Sequence, residues 1–194
     1  KKTRKVLHGI DHKTFEPIPS IKRKKNQLIT TASADVPLKG LIYLIRAYSD
    51  LLNEFPELSL IVIGKLRDGP TSKELDKKGI KNKVKFISDL TSRQISELYA
   101  ESTIAISPSV YEGFGFPAGE AMSCGIPLIS TNGGSLPEVV GDSGIIVPHS
   151  NPNELQKAIK ELLLSPEKRK ELGEKGRNRV LEKFTWKRAA KELV

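Results

Sequence analysis

The chain carries one cysteine, one tryptophan and three histidines in 194 residues, and it has no long apolar run. A single thiol, Cys124, excludes an internal disulfide, and its place in the helix expected after a glycine-rich turn marks it as a packing residue rather than a nucleophile. No stretch reaches the roughly 18 apolar residues that a membrane span requires, and no hydrophobic targeting segment opens the chain. The expectation is a cytoplasmic protein. His8, His12 and His149 show no ligand spacing, so no metal is assigned, and Asp89 and Asp142 read as acids that stabilise turns.

What the sequence has in excess is positive charge, a net +9. It is unevenly placed. Residues 1–25 hold nine Lys or Arg against two acids, and residues 165–194 hold ten against five, which leaves the middle of the chain slightly acidic. A body of that kind offers no general phosphate-tracking groove, so nucleic acid is not expected as a partner. Basic edges suit peripheral contact with an anionic membrane at its inner face. A plain solvated lysine-rich surface fits equally well.

Hydrophobic content of 38% and charged content of 28% describe a globular chain long enough for one substantial core. Short apolar runs alternate with amphipathic segments, the pattern of an α/β fold with a parallel sheet. Six strands are expected, at Gln27 to Thr31, Ser59 to Ile63, Lys83 to Ile87, Thr103 to Ile106, Pro127 to Ser130 and Gly144 to Val147. Between the first two, Leu41, Leu44, Ile45, Tyr48, Leu52 and Phe55 recur at three- and four-residue intervals and make one helical stripe. Shorter helices are expected near 71–78, 91–100, 116–123 and 136–140. Asn151-Pro152-Asn153-Glu154 reads as a cap, a first-turn proline and a capping-box acid opening a helix to Leu164. Ser165-Pro166 repeats the device.

The most informative stretch is Glu112-Gly113-Phe114-Gly115-Phe116-Pro117-Ala118-Gly119-Glu120. Gly113 and Gly115 let the backbone turn tightly and approach a ligand, and Pro117 fits the first position of a helix. A helix starting there aims its unpaired amides at the turn, a ready anion site. Carboxylates are poor partners for phosphate and good acceptors for hydroxyl pairs. The simplest division of labour therefore gives the amides of Gly113, Phe114, Gly115 and Phe116 to a diphosphate, and Glu112 and Glu120 to sugar and ribose hydroxyls. Ligands of open parallel sheets collect beyond the carboxyl ends of strands. That rule adds Lys39-Gly40 after the first strand, Gly64 and Lys65 after the second, and Ile87 to Leu90 after the third.

The run Pro108-Ser109-Val110-Tyr111-Glu112-Gly113-Phe114-Gly115-Phe116-Pro117, followed by Gly119-Glu120-Ala121-Met122-Ser123-Cys124-Gly125-Ile126-Pro127, resembles the donor-site signature of retaining glycosyltransferases of family four. The likeness extends from Gly9-Ile10-Asp11 to Phe184-Thr185-Trp186. It implies one half of a GT-B enzyme: a Rossmann-like three-layer α/β/α domain with a six-stranded parallel sheet. It also implies a nucleotide-diphosphate sugar as donor substrate, with no cofactor and no required metal. By the same likeness, residues 1–25 follow the interdomain linker, 26–183 form the nucleotide-sugar-binding domain, and 184–194 begin a crossover helix cut short. The acceptor-binding amino-terminal domain would be the missing partner, and the isolated half would be inactive.

The resemblance casts Glu112 as the group that binds and orients the donor sugar, and Lys39 as the cation that offsets charge on the leaving diphosphate. Glu120 takes the ribose. Ile87 and Leu90 hold the base through backbone and apolar contact, with Tyr111 either lining the same cavity or packing under the loop. Where many members carry an arginine five positions before the lysine, this chain has Ala34, and Lys65 is the candidate replacement. Two other functions fit the same elements less well: a phosphorylase or synthase on the same fold, and a noncatalytic module that binds nucleotide or nucleic acid.

Overall fold

The computed structural model describes residues 6–32 and 36–193, so Ala34 lies outside the described residues. Six strands, β1 (Gln27–Thr31), β2 (Ser59–Ile63), β3 (Val84–Ile87), β4 (Ile104–Ser107), β5 (Leu128–Thr131) and β6 (Ile145–Val147), form one sheet in the order β3-β2-β1-β4-β5-β6. All five pairings are parallel. The order reverses direction between β1 and β4. Loops leaving the carboxyl ends of those two strands therefore diverge and leave a crevice, where open α/β sheets bind ligands.

Among the described residues eight α-helices accompany the sheet: α1 (Leu41–Leu51), α2 (Pro70–Lys78), α3 (Ser92–Glu101), α4 (Phe116–Ser123), α5 (Leu136–Val140), α6 (Pro152–Leu164), α7 (Pro166–Lys183) and α8 (Trp186–Leu193). Successive strand residues point to opposite faces, and the core divides accordingly. Leu28, Leu60, Val62, Ile104 and Ile129 join Leu44, Tyr48, Leu155 and Ile159 on the face covered by α1 and α6. Ile29, Ile61, Ala105 and Leu128 join Met122, Val139, Val180 and Phe184 on the other. Both faces are covered, which is why the strands read as continuous apolar runs.

Several boundaries differ from the sequence reading for local reasons. Lys83 closes a 3-10 turn (Lys81–Lys83) instead of opening β3, and its carbonyl accepts a hydrogen bond from the buried hydroxyl of Tyr48 at 2.9 Å. Helix α1 stops at Leu51, while Leu52 and Phe55 continue to pack on the same core from the turn that follows. Asn151 does cap α6, accepting from the Glu154 amide. The Glu154 carboxylate turns to Lys157 rather than back to the cap, so the box is half formed. A complete capping box occurs at α3, between Thr91 and Gln94. Cys124, at 0% exposure, is the C-cap residue of α4 and lies outside its body.

Distant parts of the chain are tied together over α4. The Ile10 amide donates to the Phe184 carbonyl at 2.7 Å. Ile10 bridges to Thr185 and also lies against Gly119, where a Cβ would come within 2.6 Å of its side chain. Among the described residues no helix is long and apolar enough to cross a membrane.

Candidate functional site

Three loops from the carboxyl edge of the sheet meet around Glu112. The loop after β4 carries Pro108 to Gly115. On one side it lies against the 3-10 turn Pro37–Lys39 and Gly40, on the other against Asn132 to Ser135 after β5. Val110 and Tyr111 donate their amides to the Leu38 carbonyl. Ser135 donates both its amide and its hydroxyl to the carbonyl of Glu112, at 3.0 and 3.1 Å. The Thr131 hydroxyl donates to the Ser109 carbonyl. Glycines make this proximity feasible. Gly40 sits at φ +63°, and a Cβ there would fall 2.0 Å from the Pro108 carbonyl oxygen. A Cβ on Gly134 would fall 2.3 Å from that of Glu112.

The result is a fixed carboxylate. Lys39 Nζ lies 2.7 Å from Glu112 Oε1, and the Ser109 hydroxyl donates to the same oxygen at 2.8 Å. Side-chain exposures of 31% for Lys39 and 12% for Glu112 place the pair in partial shelter. Oε2 has no hydrogen bond among the described residues. Lys39 and Glu112 are 73 positions apart, and the sheet order alone brings them together.

Beyond Glu112 the chain turns into α4. Gly115 is its N-cap in the left-handed region, φ +93°, with Phe116 first and Pro117 second in the helix. The amides of Gly113 to Phe116 donate to no acceptor among the described residues. Gly113 departs from the sequence argument: its φ is not positive, and a Cβ there would meet nothing within 4 Å. Its value lies in the open space above it. A cavity of about 200 Å³ begins there, bordered by His8, Phe114, Ser135 and Glu138. The Phe114 and Phe116 rings meet each other and His8 edge-on or tilted, and Phe114 also meets Phe184 edge-on.

Glu120 lies at the start of the second turn of α4. Burial pushes its carboxyl up from 4.5 to about 7. Near it the buried Tyr99 hydroxyl contacts the Thr31 hydroxyl at 3.0 Å and the Pro117 carbonyl at 3.4 Å, which links the end of β1 to the start of α4 across the crevice. Burial pushes the Tyr99 phenol well above its ordinary range, so it stays a neutral donor.

The remaining candidates lie further along the same edge. Gly64 donates its amide to the Ile87 carbonyl at 2.7 Å, so that acceptor is already engaged. Lys65 Nζ lies 3.0 Å from Asp89 Oδ2. Asp89 adopts φ +60°, and its hydrogen bonds to Lys65 and Ser88 hold its carboxyl below the usual range. Leu90 is half-buried against the core. Tyr111 is 58% exposed and does not pack under the loop. Ser109, Thr131, Gly134 and Ser135 hold Glu112 in place, yet the sequence reading gave them no role. Asn132-Gly133-Gly134-Ser135 is a strong turn signal after an apolar strand and was the available clue.

Sheet order, crevice and glycine turn together define an α/β protein of the Rossmann-like type, and the architecture is that of the carboxyl-terminal domain of a GT-B glycosyltransferase. Residues 13–179 match the model of the family described as glycosyl transferases group 1, and the chain belongs to that family. It is 39% identical over 190 residues to the MMP alpha-(1->4)-mannosyltransferase of Mycolicibacterium hassiacum, an alignment covering 96% of this chain and 46% of that protein. The chain spans about half the length of the curated relatives it matches. Among solved structures, the C-terminal domain of LpcC, a glycosyl transferase group 1 family protein from Francisella tularensis, superposes with a TM-score of 0.79 at 23% identity, covering 92% of this chain and all of that one. Anabaena HepE, solved in complex with UDP and glucose, gives a TM-score of 0.84 at 21% identity, covering 97% of this chain and 54% of that one.

Proposed function

We propose that this domain binds a nucleotide-diphosphate sugar in the crevice between β1 and β4, and that the whole polypeptide transfers the sugar to an acceptor with retention of anomeric configuration. The observation that carries the proposal is the Lys39–Glu112 pair, 2.7 Å apart beside four successive unpaired amides. The amides and Lys39 take the diphosphate, where their charge offsets that developing on the leaving oxygen as the bond from anomeric carbon to phosphate oxygen breaks. Glu112 accepts from sugar hydroxyls and fixes the anomeric carbon. Glu120 holds the ribose. The reaction needs no metal, because lysine and helix amides supply the positive field.

Likeness to a mannosyltransferase favours a hexosyl donor, and UDP with glucose in HepE shows that this architecture accommodates such a ligand in that protein. The acceptor, whether glycan, lipid or small molecule, binds an amino-terminal domain of the same polypeptide. Helix α8, Trp186–Leu193, begins the crossover toward that domain, and the protein works at the cytoplasmic side of the membrane.

Calorimetric titration of this chain with UDP-, GDP- and ADP-linked hexoses is expected to show weak binding to one of them, with no transfer. Absence of binding to all three would overturn the reading. In the full-length enzyme, Glu112→Gln and Lys39→Ala are each expected to lower turnover about a hundredfold or more without unfolding the protein; unchanged turnover would remove those two roles.

A further inference from the structure

A second cavity lies outside this crevice. It holds about 560 Å³, within the roughly 300–1,000 Å³ usual for ligand pockets. It lies at the opposite edge of the sheet, where Thr103 and Pro127 stand just before β4 and β5. One wall is a face of α7 carrying Arg169, Lys170, Gly173 and Arg177, and the facing wall carries Arg23. Both basic segments of the sequence thus converge on one hollow. Glu174, 4.0 Å from Lys170, is the one acid in the lining, and Pro17, Pro127 and Pro166 supply apolar surface.

The arginines are anchored by backbone carbonyls. Arg23 donates to those of Tyr99 and Ser102 at the end of α3 and to that of Gly125, Arg177 to those of His12, Phe15 and Ser123 and to the Ser123 hydroxyl, and Arg169 to those of Leu162 and Leu163 at the end of α6. Guanidiniums suit helix carboxyl ends. Carbonyl contacts hold the cations in place without cancelling their charge, and none of the three forms an ion pair with a carboxylate among the described residues. Burial acts to lower Arg23, and the charge of Arg169 adds to that effect. Each guanidinium has five N–H donors, more than these contacts use, and Glu174 is the single carboxylate among the lining residues.

We infer that this hollow is a second ligand site, separate from the crevice, which takes a phosphate-bearing ligand with an apolar face, either a lipid headgroup or a soluble phosphate ester. It does not depend on the sugar-transfer reading. Pre-positioned guanidiniums bind phosphate by paired, charge-assisted hydrogen bonds, and the prolines accept the body of the ligand.

The test uses the chain as it stands. Inorganic phosphate is titrated while the amide resonances of Gly125 and Gly173 in the lining are followed, and binding to sedimenting vesicles of phosphatidylcholine, alone or mixed with phosphatidic acid, is measured in parallel. The double variant Lys170→Glu, Asn178→Glu changes two exposed rim residues and leaves every carbonyl contact of the arginines in place. A saturable shift at both glycines is expected, weakened about tenfold or more in that variant. It should be unchanged in Lys73→Glu on α2, and in Lys39→Ala, which separates this site from the crevice. Added vesicle binding that needs phosphatidic acid and is lost in the double variant identifies a headgroup; a shift without vesicle binding identifies a soluble ester. No saturable shift, or equal affinity in the double variant, overturns the proposal.

Discussion

Glu120 is the residue where placement and proton affinity are most closely linked. Its carboxyl sits one turn inside α4 without a hydrogen bond among the described residues, and burial raises it to about 7. A folded-state value above the ordinary 4.5 means that the native protein binds the proton more tightly than the unfolded chain does. Stability is therefore fullest below about pH 4.5 from this group and falls as pH rises toward 7. Glu120→Gln removes the dependence: urea denaturation at pH 5 and pH 8 is expected to show the unaltered protein losing about 2–3 kcal/mol relative to the variant across that interval. If the two denaturation curves keep a constant separation, Glu120 is not buried as described. The buried Cys124 thiol, pushed up to about 12 chiefly by burial, contributes no comparable titration near neutrality.

At the scale of elements, the crevice depends on loops resting on one another through glycine. Gly40 combines a left-handed backbone with a 2.0 Å limit against the Pro108 carbonyl. Gly40→Ala is expected to cost at least about 2 kcal/mol, from backbone strain and forced separation of the two loops, and to abolish nucleotide-sugar binding together with the Lys39–Glu112 contact. Denaturant unfolding paired with calorimetry checks both effects. Much of this level was legible in advance. Apolar runs marked all six strands, β1 and β2 to the residue, and Asn151, Ser165 and Gly115 stand where caps belong. The clamp on Glu112 was not legible, because Ser135 reaches Glu112 across 23 positions and Thr131 reaches Ser109 across 22, contacts that depend on β5 lying beside β4. Pattern along a chain gives the period of an element but says little about which loop a neighbouring strand will present.

For the whole molecule, the parallel order and its reversal between β1 and β4 gather the donor-site candidates at one edge and the arginine-lined hollow at the other. The motif from Pro108 to Pro127 revealed the first edge, whereas the hollow was visible only as an excess of charge in two remote segments. Closure of the molecule relies on Phe184, 1% exposed, which packs on Phe114 while its carbonyl holds Ile10. Phe184→Ala is expected to destabilise the chain by about 3–5 kcal/mol and to loosen the segment around Ile10, seen as faster amide exchange at that residue.

Gly113 stands apart from the other glycines of the crevice. Where Gly40, Gly115 and Gly134 have a neighbour within 3 Å of a would-be methyl group, position 113 looks out on solvent. The fold would not notice an alanine there, and thermal unfolding should stay within about 0.5 kcal/mol of the original. Under the proposed function a diphosphate would notice it, because the added carbon would stand beside the amides assigned to that ligand. Comparison of melting with ligand affinity in Gly113→Ala thus separates what this turn does for the architecture from what it does for its guest.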